Sequence, residues 1–132
     1  MDALINIAIN SVWAQASEPR AHVTPDDSLG KTFVVTSSTM DTITITTEGG
    51  TPIRIPRQSF VAAIRYLVLN RHDAANPCEI RSNKQIELAG PLCMAAREAT
   101  GGTMVINYIA PILESTGIVA LSGARPNRIW LA

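Results

Sequence analysis

The stretch NYIAPILESTGIVALSGARPNRIWL, residues 107–131, joins a helical pattern to an alternating one. Its first half repeats apolar residues at helical spacing, and Gly117 then supplies the left-handed position at which such helices end. Two short apolar segments, 118–121 and 128–131, lie on either side of a turn over residues 122–127, which predicts a β-hairpin. We therefore expect a helix that leads directly into a two-stranded hairpin.

Two further helices are predicted before this stretch. Apolar periodicity indicates a helix over residues 58–70, and Pro91 favours the start of a second helix, because proline is tolerated at the first helical position. Residues 100–102 end that second helix, and Thr103 is expected to cap the third one. The inward side of the third helix is predicted to carry Val105 or Ile106, Ile109, Ile112 and Leu113.

The segment 78–89, between the first two of these helices, fits two structures. It contains a capping box that begins at Ser82, but its apolar residues also suit a short hairpin that turns at residues 82–84. We favour the hairpin, because the helix that follows has its own start at Pro91.

The N-terminal part of the chain predicts a small sheet. Three runs with period-two alternation indicate antiparallel strands near residues 32–36, 41–46 and 51–55, with threonines on the opposite face. Residues 17–30 precede them and are rich in proline, serine and acidic residues without an apolar period, which predicts a linker.

The first residues of the chain predict an amphipathic helix over residues 3–16. This helix either covers the chain's own core or pairs with a second copy in a homodimer. Its apolar side is predicted to carry Leu4, Ile5, Ala8, Ile9, Val12 and Trp13.

Composition indicates a globular protein without a cofactor. Hydrophobic residues make up 46% and charged residues 17% of the 132 residues, with no membrane-spanning apolar run. Asp2, Asn6 and Asn10 interrupt the N-terminal apolar segment, which disfavours an export signal and predicts a cytoplasmic protein. Cys78 and Cys93 belong to no C-x-x-C pair, so no metal site is expected.

Charge is unevenly distributed along the chain. Residues 1–50 contain two basic and six acidic residues, a net charge of 2 − 6 = −4, and the whole chain is neutral, so residues 51–132 carry +4. The C-terminal part is therefore where a polyanion would bind.

Motifs typical of enzymes are missing from the sequence. It contains no G-x-S-x-G elbow and no glycine-rich phosphate loop before a lysine. His72 and Asp73 suit acid–base chemistry, but they lie at the predicted end of a helix, where such residues commonly cap or solvate the chain. We expect a non-catalytic protein.

The order helix, extended segment, helix, tight turn, helix and hairpin resembles the winged helix-turn-helix superfamily over residues 57–132. Residues 107–131 are also similar to the last winged-helix module of the selenocysteine-specific elongation factor, in which a tyrosine, an intrahelical proline and a terminal hairpin follow in like order. The resemblance implies nucleic-acid binding through the third helix and the hairpin, or wing. The resulting fold prediction is α+β, with an N-terminal helix and linker (1–30), a three-stranded antiparallel meander (31–56) and a winged helix (57–132).

Candidate binding residues follow from this prediction. Thr103, Asn107 and Tyr108 lie on the predicted outer side of the third helix, where an amide can bond a base edge and a phenol can stack or reach a phosphate. This helix has no lysine or arginine, so a local structural role for Asn107 and Tyr108 is the alternative. The wing adds Arg125, Asn127 and Arg128, and further positive charge comes from Arg81, Lys84, Arg54 and Arg57.

The expected function is a non-catalytic nucleic-acid-binding regulator, with DNA as the first candidate ligand and RNA as the second. The alternative is a protein-interaction module, such as a small inhibitor or adaptor from a mobile element. Neutral net charge disfavours an inhibitor that mimics DNA.

Overall fold

A computed structural model describes residues 1–25 and 30–132 of the chain. The described part is a mixed α+β fold with four α-helices and two antiparallel sheets. The helices are α1 (Asp2–Gln15), α2 (Arg57–Leu69), α3 (Pro91–Arg97) and α4 (Ile106–Ser115). The strands are β1 (Arg20–Val23), β2 (Thr32–Ser38), β3 (Thr42–Thr47), β4 (Pro52–Pro56), β5 (Cys78–Glu79), β6 (Val119–Ser122) and β7 (Arg128–Leu131).

The first sheet has the order β1-β2-β3-β4, so it is a four-stranded meander. The predicted alternation of β2 to β4 is confirmed, because alternate apolar side chains face the core, while threonines of β2 and β3 and Arg54 of β4 lie on the opposite face. The buried side chains are Phe33, Val35, Ile43, Ile45 and Ile55.

The prediction of a three-stranded meander and of a linker over residues 17–30 is wrong at β1. Arg20–Val23 pairs with β2 in the register Arg20↔Val35 to Val23↔Thr32. This edge strand buries no aliphatic side chain, so it has no apolar period; backbone pairing and the His22 ring, stacked on Phe33 at 5.3 Å, hold it in place. Residues 26–29 of the predicted linker lie outside the described residues.

His22 makes the stability of β1 dependent on pH. Burial, and secondarily the nearby Arg20 charge, lower the pKa of His22 below its ordinary value of 6.5. The unfolded chain therefore binds a proton more readily than the folded one, so the free energy of unfolding falls as pH drops below about 6.5. Urea unfolding at about pH 7.5 and about pH 5.5 measures this loss. His22→Gln is expected to reduce it, and an unchanged pH dependence in that variant would assign the effect to other groups.

Helix α1 covers the protein's own core. Ile5, Ile9 and Val12 are buried, and Asp2 forms an ion pair of 3.1 Å with Arg65 of α2. Leu4, predicted on the inward side, is instead 72% exposed, because the buried stripe is narrow and follows positions i, i+4 and i+7. Within the described part of the chain, no helix is long and apolar enough to cross a membrane.

The second sheet has the order β5-β7-β6. The predicted hairpin of β6 and β7 is confirmed, with Val119 opposite Leu131 and Ser122 opposite Arg128. The strand β5 extends this sheet, because Cys78 and Glu79 pair with β7.

The hairpin predicted for residues 78–89 is wrong. Only Cys78–Glu79 is a strand, and residues 86–88 form a 3₁₀ turn instead of a return strand. The side chains of Ile86 and Leu88 are 59% and 55% exposed, so no buried face supports an alternating strand there. The Asn83 carboxamide accepts a hydrogen bond from the Gln85 amide at 2.9 Å, which stabilises a turn.

Helices α3 and α4 pack their apolar sides into the core. The predicted start of α3 at Pro91 is confirmed, but Thr103 does not cap α4, which has Val105 at its N-cap and no side-chain cap bond. Gly117 has φ +80° and ends α4 as predicted. The predicted inward residues of α4 are all buried: Val105, Ile106, Ile109, Ile112 and Leu113. Buried apolar residues from α1, both sheets and α2 to α4 form one cluster.

Candidate functional site

A groove of about 550 Å³ opens beside the start of α4. Two loops border it, one over residues 80–84 and the other over residues 125–127 at the tip of the β6–β7 hairpin, and residues 24, 25 and 31 also line it. Asn107 and Tyr108 of α4, together with Met104 just before this helix, face this space. We call this space the groove and its loop residues the rim.

The groove is lined by positive charge. Lys31, Arg81, Lys84 and Arg125 border it, all four are exposed, and none of its described lining residues is acidic. Like charges held around a concave surface attract a polyanion.

The structure brings together six of the ten predicted binding residues. Asn107, Tyr108, Asn127 and the cations Arg81, Lys84 and Arg125 all line the groove. The other four lie outside it: Thr103 is exposed before α4, Arg54 lies on β4 opposite Thr44, Arg128 lies on β7, and Arg57 begins α2 and contacts α1.

Arg57, the first residue of α2, makes structural contacts with the neighbouring helix α1. Its guanidinium donates a hydrogen bond to the Asn10 side chain at 2.8 Å and lies 5.2 Å from the centre of the Trp13 ring. Such a cation–π contact helps to fix α1 against the start of α2. Arg57 therefore joins two helices in this structure.

Asn127 shapes the rim from inside the protein. Its side-chain amide donates hydrogen bonds to the Pro25 carbonyl at 2.6 Å and to the Gly123 carbonyl at 3.2 Å. The backbone carbonyl of Asn127 accepts a hydrogen bond from the backbone amide of Ile80 at 3.0 Å. Asn127 thus links the tip of the β6–β7 hairpin to the segments that contain Pro25 and Ile80. Its side-chain N–H groups are already used in these hydrogen bonds.

Arg81 is held in the rim by close packing. It has φ +44°, and its carbonyl accepts a hydrogen bond from the Gly90 amide at 2.9 Å. A Cβ atom at Gly90 would lie 2.7 Å from the Arg81 Cβ, so only glycine permits this approach. Gly90 has an ordinary φ of −74°, so the constraint is steric.

Gly90→Ala is expected to lower the free energy of unfolding by about 1–3 kcal/mol, because the added methyl group displaces Arg81 or the start of α3. Urea unfolding measures the loss. Gly49→Ala is the matched control, since the nearest atom to its new Cβ would be 4.0 Å away. Equal stability of the two variants would contradict the tight packing at Gly90.

A second rim cation, Lys84, is positioned by a buried arginine. Arg97 is only 2% exposed, and its guanidinium donates hydrogen bonds to the Asn83 carbonyl and, at 3.2 Å, to the Lys84 carbonyl. It also lies 3.1 Å from the Cys93 Sγ, while its Nε has no hydrogen-bond partner. Arg97 therefore fixes the loop over residues 80–84 from the buried side, through hydrogen bonds to its backbone carbonyls.

Two side chains of α4 line the groove between the rim loops. Asn107 and Tyr108 are half-buried, and their side-chain polar atoms form no hydrogen bond with the described residues. The Tyr108 ring meets Phe33 edge to face, with centroids 5.2 Å apart, and Phe33 is stacked in turn on His22. These contacts fix the ring while one part of it borders the groove.

The sequence did not predict that Lys31 and Arg97 contribute to the groove. Lys31 lies in the acidic half of the chain, so charge distribution pointed away from it. Arg97 was assigned to a short helix with no expected role, and its burial follows only from packing against residues 83–84. An arginine within an otherwise apolar helical segment is the one available signal, and it is a weak one.

The other reactive side chains have local roles. His72 Nδ1 lies 2.9 Å from the Asn76 carbonyl, and Asp73 accepts backbone hydrogen bonds from residues 75 and 76. The cysteines are both buried and unbridged, and burial raises the pKa of the Cys78 thiol to about 11. Among the described residues, no group of three or more histidine, cysteine or acidic side chains is arranged to hold a metal ion.

Comparisons with protein families, with curated proteins and with solved structures find no match for this chain.

Proposed function

We propose that the protein is a non-catalytic nucleic-acid-binding regulator that holds a phosphate backbone in the groove. The observation that carries this proposal is the set of three exposed cations, Lys31, Arg81 and Lys84, around one concave space with no acidic residue among its described lining. Phosphate contacts supply most of the affinity in sequence-independent nucleic-acid binding. DNA is the proposed ligand, and RNA is tested in the same assay.

The order of the elements supports a winged-helix arrangement for residues 57–132. Three helices, α2 to α4, are followed by the hairpin β6–β7, and α4 leads into β6 through Gly117. In this arrangement the wing and the third helix face the ligand together. The positive charge comes from the loops on either side of α4, which accounts for a third helix without lysine or arginine.

Salt dependence tests the proposal. Contacts from Lys31, Arg81 and Lys84 predict that log affinity falls with log salt at a slope of about −2.1 for single strands and about −2.7 for duplex DNA. Raising salt from about 50 to about 200 mM should therefore weaken binding about 20- to 40-fold. Fluorescence anisotropy with labelled DNA and RNA measures this directly. A protein that binds neither nucleic acid at low salt would refute the proposal.

The alternative function, a protein-interaction module, is supported by the outward side of α1. Leu4 and Ile7 are 72% and 65% exposed and lie one helical turn apart. Since Ile5, Ile9 and Val12 are buried in the protein's own core, a homodimer through residues 3–16 would have to use this outward side.

The homodimer proposal predicts that replacing Leu4 and Ile7 with glutamate converts a dimer into a monomer. Both positions are exposed, so the folded monomer should keep its stability to within about 0.5 kcal/mol. Light scattering of the wild type and the variant measures the mass. A wild-type protein with the monomer mass at high concentration would eliminate this dimer.

A further inference from the structure

We propose that the groove takes an unpaired strand of nucleic acid and that one base of this strand stacks on Tyr108. This inference rests on the proposed function and names its ligand class. It follows from the shape of the groove, from the chemistry of its inner side and from the way in which the Tyr108 ring is held.

The shape of the groove disfavours a duplex. A helix that reads the major groove must protrude, because it enters a channel about 12 Å wide. Here Asn107 and Tyr108 are half-buried, whereas the rim residues Arg81, Lys84 and Arg125 are exposed on both sides of them. The start of α4 is therefore recessed between two loops. The rim would meet the backbone of a duplex before α4 reached its bases, but an unpaired strand can enter.

The inner side of the groove suits a nucleobase. Tyr108 offers an aromatic ring, Met104 a polarisable thioether, and Asn107 an amide with both a donor and an acceptor. The amide of Asn107 has no partner among the described residues, so it is available to a base edge. The space of about 550 Å³ falls within the usual size range of small-ligand sites.

The Tyr108 ring is already held in place before a ligand arrives. Phe33 contacts it edge to face at an interplanar angle of 81°, and α4 carries its backbone. Stacking on a ring that is already fixed costs little side-chain entropy. Because every base has an aromatic face, such stacking tolerates different sequences. The cations of the rim then lie around the base, where the sugar–phosphate backbone passes.

The test compares three ligands of the same length, of which the two single strands also carry the same number of phosphates. The probes are an oligothymidylate of about ten nucleotides, an abasic strand of the same length and a duplex of the same length, all labelled for anisotropy at low salt. The oligothymidylate should bind about tenfold or more tightly than the abasic strand and the duplex. The salt slopes of the two single strands should be equal, because their phosphate contacts are the same.

Variants of Tyr108 provide the second measurement. Tyr108→Phe should keep the affinity for oligothymidylate, whereas Tyr108→Leu should lower it about tenfold without changing the salt slope. Thermal unfolding verifies that each variant is folded, and the abasic probe keeps the test valid if Tyr108→Leu is unstable.

The outcomes separate this inference from the proposed function. Equal affinity for the oligothymidylate and the abasic strand would overturn base stacking, and a preference for the duplex would overturn the unpaired strand; both would leave nucleic-acid binding in place. Binding of none of the three probes at low salt, together with no binding of RNA, would overturn the proposed function itself.

Discussion

Replacing Arg81 and Lys84 together with alanine is expected to weaken binding of single-stranded DNA about tenfold at low salt. Both side chains are exposed on the rim loop over residues 80–84. Losing two phosphate contacts should also reduce the slope of log affinity against log salt by about 1.4, at about 0.7 per contact for a single strand. The fold should be unaffected, because neither side chain is buried.

Anisotropy over a range of salt concentrations measures both quantities. The matched control is Arg54→Ala combined with Arg65→Ala, which removes the same charge from outside the groove. Among the described residues, Arg65 forms an ion pair only with Asp2, and this pair lies at the surface, so its loss costs little stability. If the control weakens binding as much as the rim variant does, net charge governs binding and the groove does not.

Arg97→Met is expected to lower the free energy of unfolding by about 2–4 kcal/mol. Methionine fills part of the space but cannot donate hydrogen bonds, so the carbonyls of Asn83 and Lys84 lose the donors that now satisfy them. Removing a buried charge that has no carboxylate partner offsets part of this loss. The loop over residues 80–84 should then become less ordered, and the position of Lys84 should become less defined.

Urea unfolding measures the stability of this variant, and hydrogen exchange of the amides near residues 83–85 reports on the loop. Arg97→Lys is the informative control, because it keeps the charge but lacks the forked donors. Affinity for single-stranded DNA should fall in Arg97→Met under conditions in which the protein is folded. If Arg97→Met is as stable as the wild type, the hydrogen bonds from Arg97 to these carbonyls make no net contribution to the free energy of unfolding.

Elements with a buried face were predictable from the sequence. The strands β2 to β4, helix α2 and the hairpin β6–β7 all carry apolar residues at the spacing of their structure, and Gly117 marks the end of α4 as expected. β1 was not predictable in this way, because an edge strand with few buried side chains leaves no period in the sequence. Residues 86–88 were misassigned because apolar residues alternate there without being buried.

The groove was predictable only in part. Asn107, Tyr108 and the wing tip follow from a helix joined to a hairpin, whereas Lys31 meets Arg81 and Lys84 only because the first sheet lies against α4. The hydrogen bond from the Asn127 side chain to the Pro25 carbonyl was not predictable either, since it joins chain segments about a hundred positions apart. Such convergence of distant segments leaves no local pattern. The charge difference between the two halves of the chain indicated the half that supplies Arg81, Lys84 and Arg125, but it did not indicate Lys31.

The placement of the cations on loops has a consequence for how such a protein diversifies. Lys31, Lys84 and Arg125 are exposed and lie outside the apolar cluster, whereas α4 packs its apolar side into that cluster. Substitutions at exposed loop positions usually change stability by less than about 0.5 kcal/mol. Mutation can therefore alter the charge of the rim without repacking the interior, and ligand preference can drift among descendants while one and the same scaffold is inherited.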